Sequence, residues 1–188
     1  MKVVLASASA RRQELLARLI DDFDVSVSNF DESTVPFEGN IDKYVKSVAL
    51  GKAIDIRDKI KKEAIIISAD TIVTKDNEIL GKPKDEQDAF KMLKSLSGKN
   101  HFVYSGVVVI NTKTDIIIQE SLSTKVTFSD ISDKEILEYI KTGEPLDKAG
   151  AYGIQGKGGI FVEEIEGCYY NVVGLPLNKL KSMLDKVK

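Results

Sequence analysis

Residues 64–69 read Ala-Ile-Ile-Ile-Ser-Ala and end on Asp70-Thr71. A short β-branched run with no polar alternation is the signature of a central strand covered on both faces. On its N-terminal side, residues 41–60 carry Tyr44, Val45, Val48, Ala49, Ala53 and Ile56 at helical spacing, with Gly51 a minor interruption. Residues 29–40 are polar, contain Pro36 and Gly39, and read as a loop. Residues 23–28 alternate as a strand does, residues 3–6 form a strand, and residues 11–20 form a helix with Leu15, Leu16, Leu19 and Ile20 on its buried side. On the C-terminal side, residues 72–80 predict a hairpin turning at Asp76-Asn77, broken by Gly81-Lys82-Pro83. Asp85 caps a helix running to Leu96, and residues 102–111 and 116–128 form a long antiparallel hairpin. Ser132-Asp133-Lys134-Glu135 is a capping box opening a helix to Ile140. Residues 160–165 and 169–173 predict another hairpin, and residues 176–187 a terminal helix. The order βαβαβ followed by hairpins predicts an α/β fold, a mixed central sheet with flanking helices.

The chain has 188 residues, enough for one domain or for two lobes sharing a cleft. With 43% hydrophobic and 30% charged residues it is globular rather than disordered. Lysine and arginine number 27 against 29 acidic residues, a net charge of −2, which argues against stable nucleic-acid binding. A local basic site for a small anion is compatible with that balance. The one cysteine, Cys168, allows no intramolecular disulfide, so nothing demands an oxidising compartment. With His101 the sole histidine, Cys/His metal cages are excluded, and nothing near it suggests a nucleophile elbow. The apolar start is too short for a signal peptide, and no run approaches the roughly 20 residues that cross a bilayer. A soluble, cytoplasmic protein without membrane association is expected.

Four stretches carry chemistry. Residues 5–12, Leu-Ala-Ser-Ala-Ser-Ala-Arg-Arg, lie on a strand-loop-helix unit. Small residues let the backbone approach an anion, Ser7 and Ser9 add hydroxyls, and Arg11 and Arg12 add guanidinium forks. The ordinary alternative is that Ser9 caps the helix and the arginines are surface residues. Asp70, at the carboxyl end of its strand, can bind a divalent metal or act as a base on water, or be a turn aspartate. Residues 143–156 pack Glu144, Asp147, Lys148, Gln155 and four glycines into one loop. Glu144 and Asp147 can hold metal or orient water, Lys148 can meet a phosphate, and Gln155 can read a base edge; a flexible surface loop is the alternative. Lys82, between Gly81 and Pro83, is either a phosphate contact or part of an ordinary turn, and Glu32 is a further carboxylate in the first long loop. His101 suits a structural place on a strand edge, and Cys168 a bystander role.

In order along the chain, LASASARRQELL (5–16), ADTIV (69–73), GKP (81–83), LSG (96–98), EPLDKAGAYGIQG (144–156) and YYNVVGLP (169–176) resemble the Maf family of nucleoside triphosphate pyrophosphatases. The resemblance covers nearly the whole chain, which it makes a single Maf-like domain, residues 1–188. It implies two lobes around a cleft, similar to house-cleaning inosine triphosphate pyrophosphatases. It implies cleavage of a nucleoside triphosphate to monophosphate and pyrophosphate with a divalent cation, Mg²⁺ or Mn²⁺, and a homodimer. Asp70 matches the catalytic acidic residue and proton acceptor; Arg11, Thr71 and Gln155 match positions governing substrate choice. Ser7, Arg12, Lys52, Lys82 and Lys148 match substrate-binding positions, and Glu32, Glu144 and Asp147, with Asp70, the carboxylates assigned to metal. The Arg/Thr/Gln combination looks like the branch acting on dTTP and UTP. Alternatives are the branch preferring 7-methyl-GTP, and a nucleotide-binding regulator of septation without turnover. One departure is Ala10, where the family usually has proline; alanine removes no functional group.

Overall fold

The computed structural model describes residues 1–187. Strand β1 (Lys2–Leu5) leads to helix α1 (Ala10–Leu16), β2 (Asp24–Val25) and the long α2 (Ile41–Lys59). Strand β3 (Ala64–Lys75) turns back into β4 (Glu78–Leu80), and α3 (Glu86–Leu96) precedes β5 (Asn100–Asn111) and β6 (Ile116–Phe128). After α4 (Asp133–Ile140) come three 3-10 turns (Glu144–Asp147, Ala149–Ala151, Lys157–Phe161), then β7 (Val162–Glu166), α5 (Tyr169–Val173) and α6 (Leu177–Lys186). The strands form a sheet in the order β2-β1-β3-β5-β6-β7, with β4 on β3. β1 runs parallel to β2 and β3, pairing Val3 with Ile65 and Leu5 with Ile67, while β4 and β7 pair antiparallel with β3 and β6. The fold is therefore mixed α/β, a mixed sheet flanked by helices. No helix among the described residues is long and apolar enough to cross a membrane.

β3 continues beyond the isoleucine run to Lys75 and is buried along most of its length. The polar pair Asp70-Thr71 interrupts the hydrophobic pattern but not the backbone ladder, which is indifferent to side-chain polarity. The turn at Asp76-Asn77 places both residues at positive φ, 50° and 65°, as a tight type I′ hairpin requires.

The chain divides into two compact units. The first comprises Met1–Asp70, Ser105–Leu122 and Gly174–Lys188; the second comprises Thr71–Tyr104 and Ser123–Val173. In the first unit, Val4, Ala6, Ala49, Ala53, Ile56, Ile66, Val108 and Ile110 form a core between α2 and the sheet. The Ser68 hydroxyl donates to the Ala49 carbonyl at 2.7 Å, tying β3 to α2. Gly106 on β5 permits close approach of that helix: a Cβ there would lie 2.3 Å from the Val45 carbonyl oxygen. In the second unit, α3 and α4 cover an aromatic core of Phe128, Tyr139, Tyr152 and Phe161. His101 is buried there, edge-on to Phe128 and Tyr152, with Nε2 2.8 Å from the Tyr152 hydroxyl. Burial holds its imidazole down to a pKa of about 4, so it is neutral at pH 7.

Several boundaries differ from the sequence reading. Residues 169–173, read as a strand from Tyr-Tyr-Asn-Val-Val, form the helix α5. Buried Asn171 donates from Nδ2 to the Val103 carbonyl at 2.9 Å and to Thr124 Oγ1 at 3.0 Å. Those tertiary bonds outweigh the local β-propensity. β7 instead pairs with β6, and Ile160 lies in a 3-10 turn before it. α1 ends at Leu16, short of residue 20, and β2 spans only two residues.

Candidate active site

In the first unit, the expected residues Ser7, Arg11, Arg12, Glu32, Lys52 and Asp70 sit on β1-α1, the first long loop, α2 and β3. Lys52 is the junction. Its Nζ lies 2.8 Å from Asp70 Oδ1 and 2.8 Å from Glu32 Oε1. Glu32 reaches it because its loop is fastened to α2. Asp55 Oδ2 accepts from the Ser28 hydroxyl and the Asn29 amide, both at 2.8 Å. Phe30 then lies over Gly51, where a Cβ would come within 2.3 Å of the ring. The glycine that interrupts the helical pattern thus provides the seat for the loop. Asp31 caps the 3-10 turn Glu32–Thr34 through the Ser33 amide.

Ser9 caps α1, its hydroxyl accepting from the Arg12 amide at 3.4 Å. Ala10 is the first helical residue, where an amide needs no intrahelical partner. Ser7 Oγ accepts from the Ser9 amide at 3.2 Å and from Arg12 Nη1 at 3.4 Å. Arg12 Nε donates to the Gly174 carbonyl at 2.9 Å. Burial lowers the Arg12 pKa; the Asp70 charge opposes that effect and Arg11 adds to it. Arg12 is therefore a guanidinium fixed to its own fold near Asp70, and Arg11 is partly exposed beside it.

The other expected residues belong to the second unit. Thr71 follows Asp70 on β3 and is partly buried; Lys82 and Gln155 are exposed. The turn carrying Lys82 is tied to residues 143–156 by the Gly150 amide, which donates to the Gly81 carbonyl at 3.1 Å. Gly150 and Ala151 both have positive φ, 68° and 62°. For the alanine that conformation costs roughly 1 kcal/mol, strain of the kind held at functional loops. Lys148, mostly buried, pairs with the exposed Asp147 and approaches the Glu144 carbonyl at 3.5 Å. The Glu144 carboxylate accepts from the Tyr139 hydroxyl at 2.8 Å, the Lys157 amide at 2.9 Å and the Gly158 amide at 3.2 Å. Desolvation pushes its pKa up, but these hydrogen bonds and the Lys148 charge outweigh it and hold the carboxyl below its ordinary value.

The donor chemistry bears on the expected divalent cation. Lys52 brings together two hard carboxylate donors, Asp70 and Glu32, each with one oxygen 2.8 Å from its Nζ and a second oxygen outside that ion pair. That pair fits a hard cation. Glu144, marked for metal in the sequence, has both oxygens engaged by its own unit. Among the described residues no group of three or more His, Cys, Asp or Glu converges as a ready-made metal cage.

Two tyrosines, Tyr44 and Tyr139, were given no site role from the sequence. Burial raises the Tyr44 pKa, and the negative charges of Asp70 and Glu32 raise it further. Its place eight residues before Lys52, two turns along α2, was the available signal. Tyr139 meets Glu144 only after the chain reverses beyond α4, and no periodicity announces that.

The fold resembles that of a HAM1 protein from Coxiella burnetii, with a TM-score of 0.51 at 14% identity, covering 99% of each chain. The family model for Maf-like proteins matches residues 2–187, and the chain belongs to the Maf family. It is 75% identical over 188 residues to a protein of Clostridium beijerinckii named dTTP/UTP pyrophosphatase, covering 100% of both. A protein of the same name from Clostridium botulinum is 72% identical over 186 residues, covering 99% of each.

Proposed function

We propose that the chain hydrolyses dTTP and UTP to the nucleoside monophosphate and pyrophosphate, a house-cleaning activity of the cytoplasm. Family membership and the relatives' names support the reaction class. The observation that carries the site is the Asp70–Lys52–Glu32 cluster, a carboxylate at a strand position fixed by an ammonium 2.8 Å away. Asp70 accepts a proton from water as the water oxygen bonds to the α-phosphorus. The bond from that phosphorus to the bridging oxygen breaks, and pyrophosphate carries the electron pair away. Lys52 fixes the Asp70 carboxylate through Oδ1, leaving Oδ2 clear of that ion pair to take the proton. A divalent cation, held by Asp70 and Glu32, would neutralise charge on the phosphate oxygens. The family resemblance assigns Ser7, Arg11, Arg12, Lys82 and Lys148 to phosphate contacts. Thr71 and Gln155 are assigned to the pyrimidine, and Arg11 to substrate choice.

The test is a panel of canonical and modified nucleotides with Mg²⁺ or Mn²⁺ and detection of pyrophosphate. Release from dTTP and UTP above the other nucleotides is expected. Preference for 7-methyl-GTP would move the chain to another branch of the family, and no release from any nucleotide would replace an enzyme with a binding protein.

A further inference from the structure

The geometry points to Tyr139 and Glu144 as a clasp that positions Gln155, with Glu144 acting on the backbone of its own unit rather than on a cation. This rests on the proposed reading of Gln155 at the base, and it adds residues that act through that one.

The clasp is built where α4 ends. Gly143, at φ 75°, reverses the chain after Ile140, and its amide donates to the Ile140 carbonyl at 2.9 Å. The Thr142 hydroxyl donates to the Tyr139 carbonyl at 2.7 Å and accepts from the Glu144 amide at 3.2 Å. Together these bring the Glu144 carboxylate back against the Tyr139 hydroxyl, which donates to Oε1 at 2.8 Å. The Tyr139 oxygen also accepts from the Gly153 amide at 3.2 Å. Glu144 accepts from the Lys157 and Gly158 amides on the other side. The two side chains therefore hold the backbone at 153 and again at 157–158. Gln155 lies exposed in the short bridge between these anchors, in a turn closed by the Gly156 amide donating to the Gly153 carbonyl at 3.1 Å.

Three glycines mark the space the clasp occupies. A Cβ on Gly156 would lie 2.3 Å from Glu144 Oε1, one on Gly158 2.5 Å from the Tyr139 hydroxyl, and one on Gly153 3.3 Å from Glu144 Oε1. Gly156 has φ −102°, a backbone any residue adopts, so what excludes a side chain there is the carboxylate itself. The Tyr139 ring is held independently, edge-on to Phe161 with centroids 5.1 Å apart. Phenylalanine at 139 can keep that packing and lose only the hydroxyl.

Tyr139→Phe and Glu144→Gln in the full chain test the clasp. A positioning role predicts faster amide hydrogen exchange, about tenfold or more, at Gly153 in Tyr139→Phe and at Lys157 and Gly158 in Glu144→Gln. It also predicts that Tyr139→Phe raises KM for UTP and dTTP by about tenfold, changes kcat by less than about threefold, and narrows the preference for UTP over GTP. In a Gln155→Ala background the same change should narrow that preference no further, because its effect passes through Gln155. If Gln155→Ala alters selectivity while both clasp variants keep wild-type selectivity and exchange, the clasp is overturned and the reading of Gln155 stands. If Gln155→Ala leaves selectivity intact, both fall. A loss confined to Glu144→Gln, in kcat and reversed by more Mg²⁺, would overturn the clasp in favour of metal ligation.

Discussion

At Lys52 one ammonium meets two carboxylates, and the three side chains differ in exposure: 14% for Lys52 and 9% for Asp70, against 55% for Glu32. The Lys52–Asp70 contact is thus largely shielded from water, and the Glu32 contact is screened. Removing the lysine leaves a shielded carboxylate without its cation, a change that destabilises far more than the loss of a surface pair. Lys52→Met is expected to lower the unfolding free energy by about 2–3 kcal/mol in urea titration. Asp70→Asn keeps the shape and removes the base. It is expected to leave a folded protein with pyrophosphate release reduced by about 10³-fold. Turnover near wild type in that variant would take Asp70 out of the proposed reaction. The signal for Asp70 was legible because it ends a run of buried apolar residues. Lys52 was named only through the family resemblance, since a lysine within a helical pattern looks the same whether it faces solvent or a buried aspartate.

Helix α2 shows how an element serves a site it does not resemble. Its apolar face, Val45, Val48, Ala49, Ala53 and Ile56, is buried and was predicted by spacing alone. Its other contributions depend on two close approaches. Gly51 gives Phe30 its seat, and Gly106 of β5 lets the helix backbone settle on the sheet. Gly106→Ala sets a methyl against the Val45 carbonyl, a backbone atom that cannot swing aside. The expected cost is about 2–3 kcal/mol, read as a lower denaturation midpoint with an unchanged slope. Midpoints within error of wild type would show that α2 can shift on β5. α4 was legible from its capping box, and Ser132 and Glu135 do exchange both hydrogen bonds. α5 was not legible, because its helical turn is held by Asn171 reaching residues far away in sequence.

Acid sensitivity belongs to the molecule as a whole. The His101 imidazole titrates near 6.5 in an unfolded chain and near 4 in the fold, where burial opposes its charge. As pH falls between those values the unfolded chain takes up a proton that the folded chain refuses. Stability is therefore complete above about pH 6.5 and declines as pH falls toward 4, by up to about 3 kcal/mol. Glu144, whose carboxyl is held below its ordinary 4.5, adds its own loss only at the acid end of that window. His101→Gln should flatten unfolding free energy against pH between 6.5 and 4, measured by urea titration at a series of pH values. A slope unchanged by the substitution would place the acid sensitivity elsewhere.

Composition, strand and helix periodicity, capping residues and the six family stretches were readable one residue at a time or over short windows. They determined the mixed α/β class, the main elements and the membership of the Maf family, because local pattern and local propensity carry those properties. The tertiary structure alone decided that Lys52 joins Asp70 to Glu32, that Tyr139 grips Glu144, and that residues 169–173 wind into a helix. Each of these depends on which distant groups share a buried hydrogen-bond partner. That sharing is fixed by desolvation and chain reversal, and neither leaves a period in the sequence.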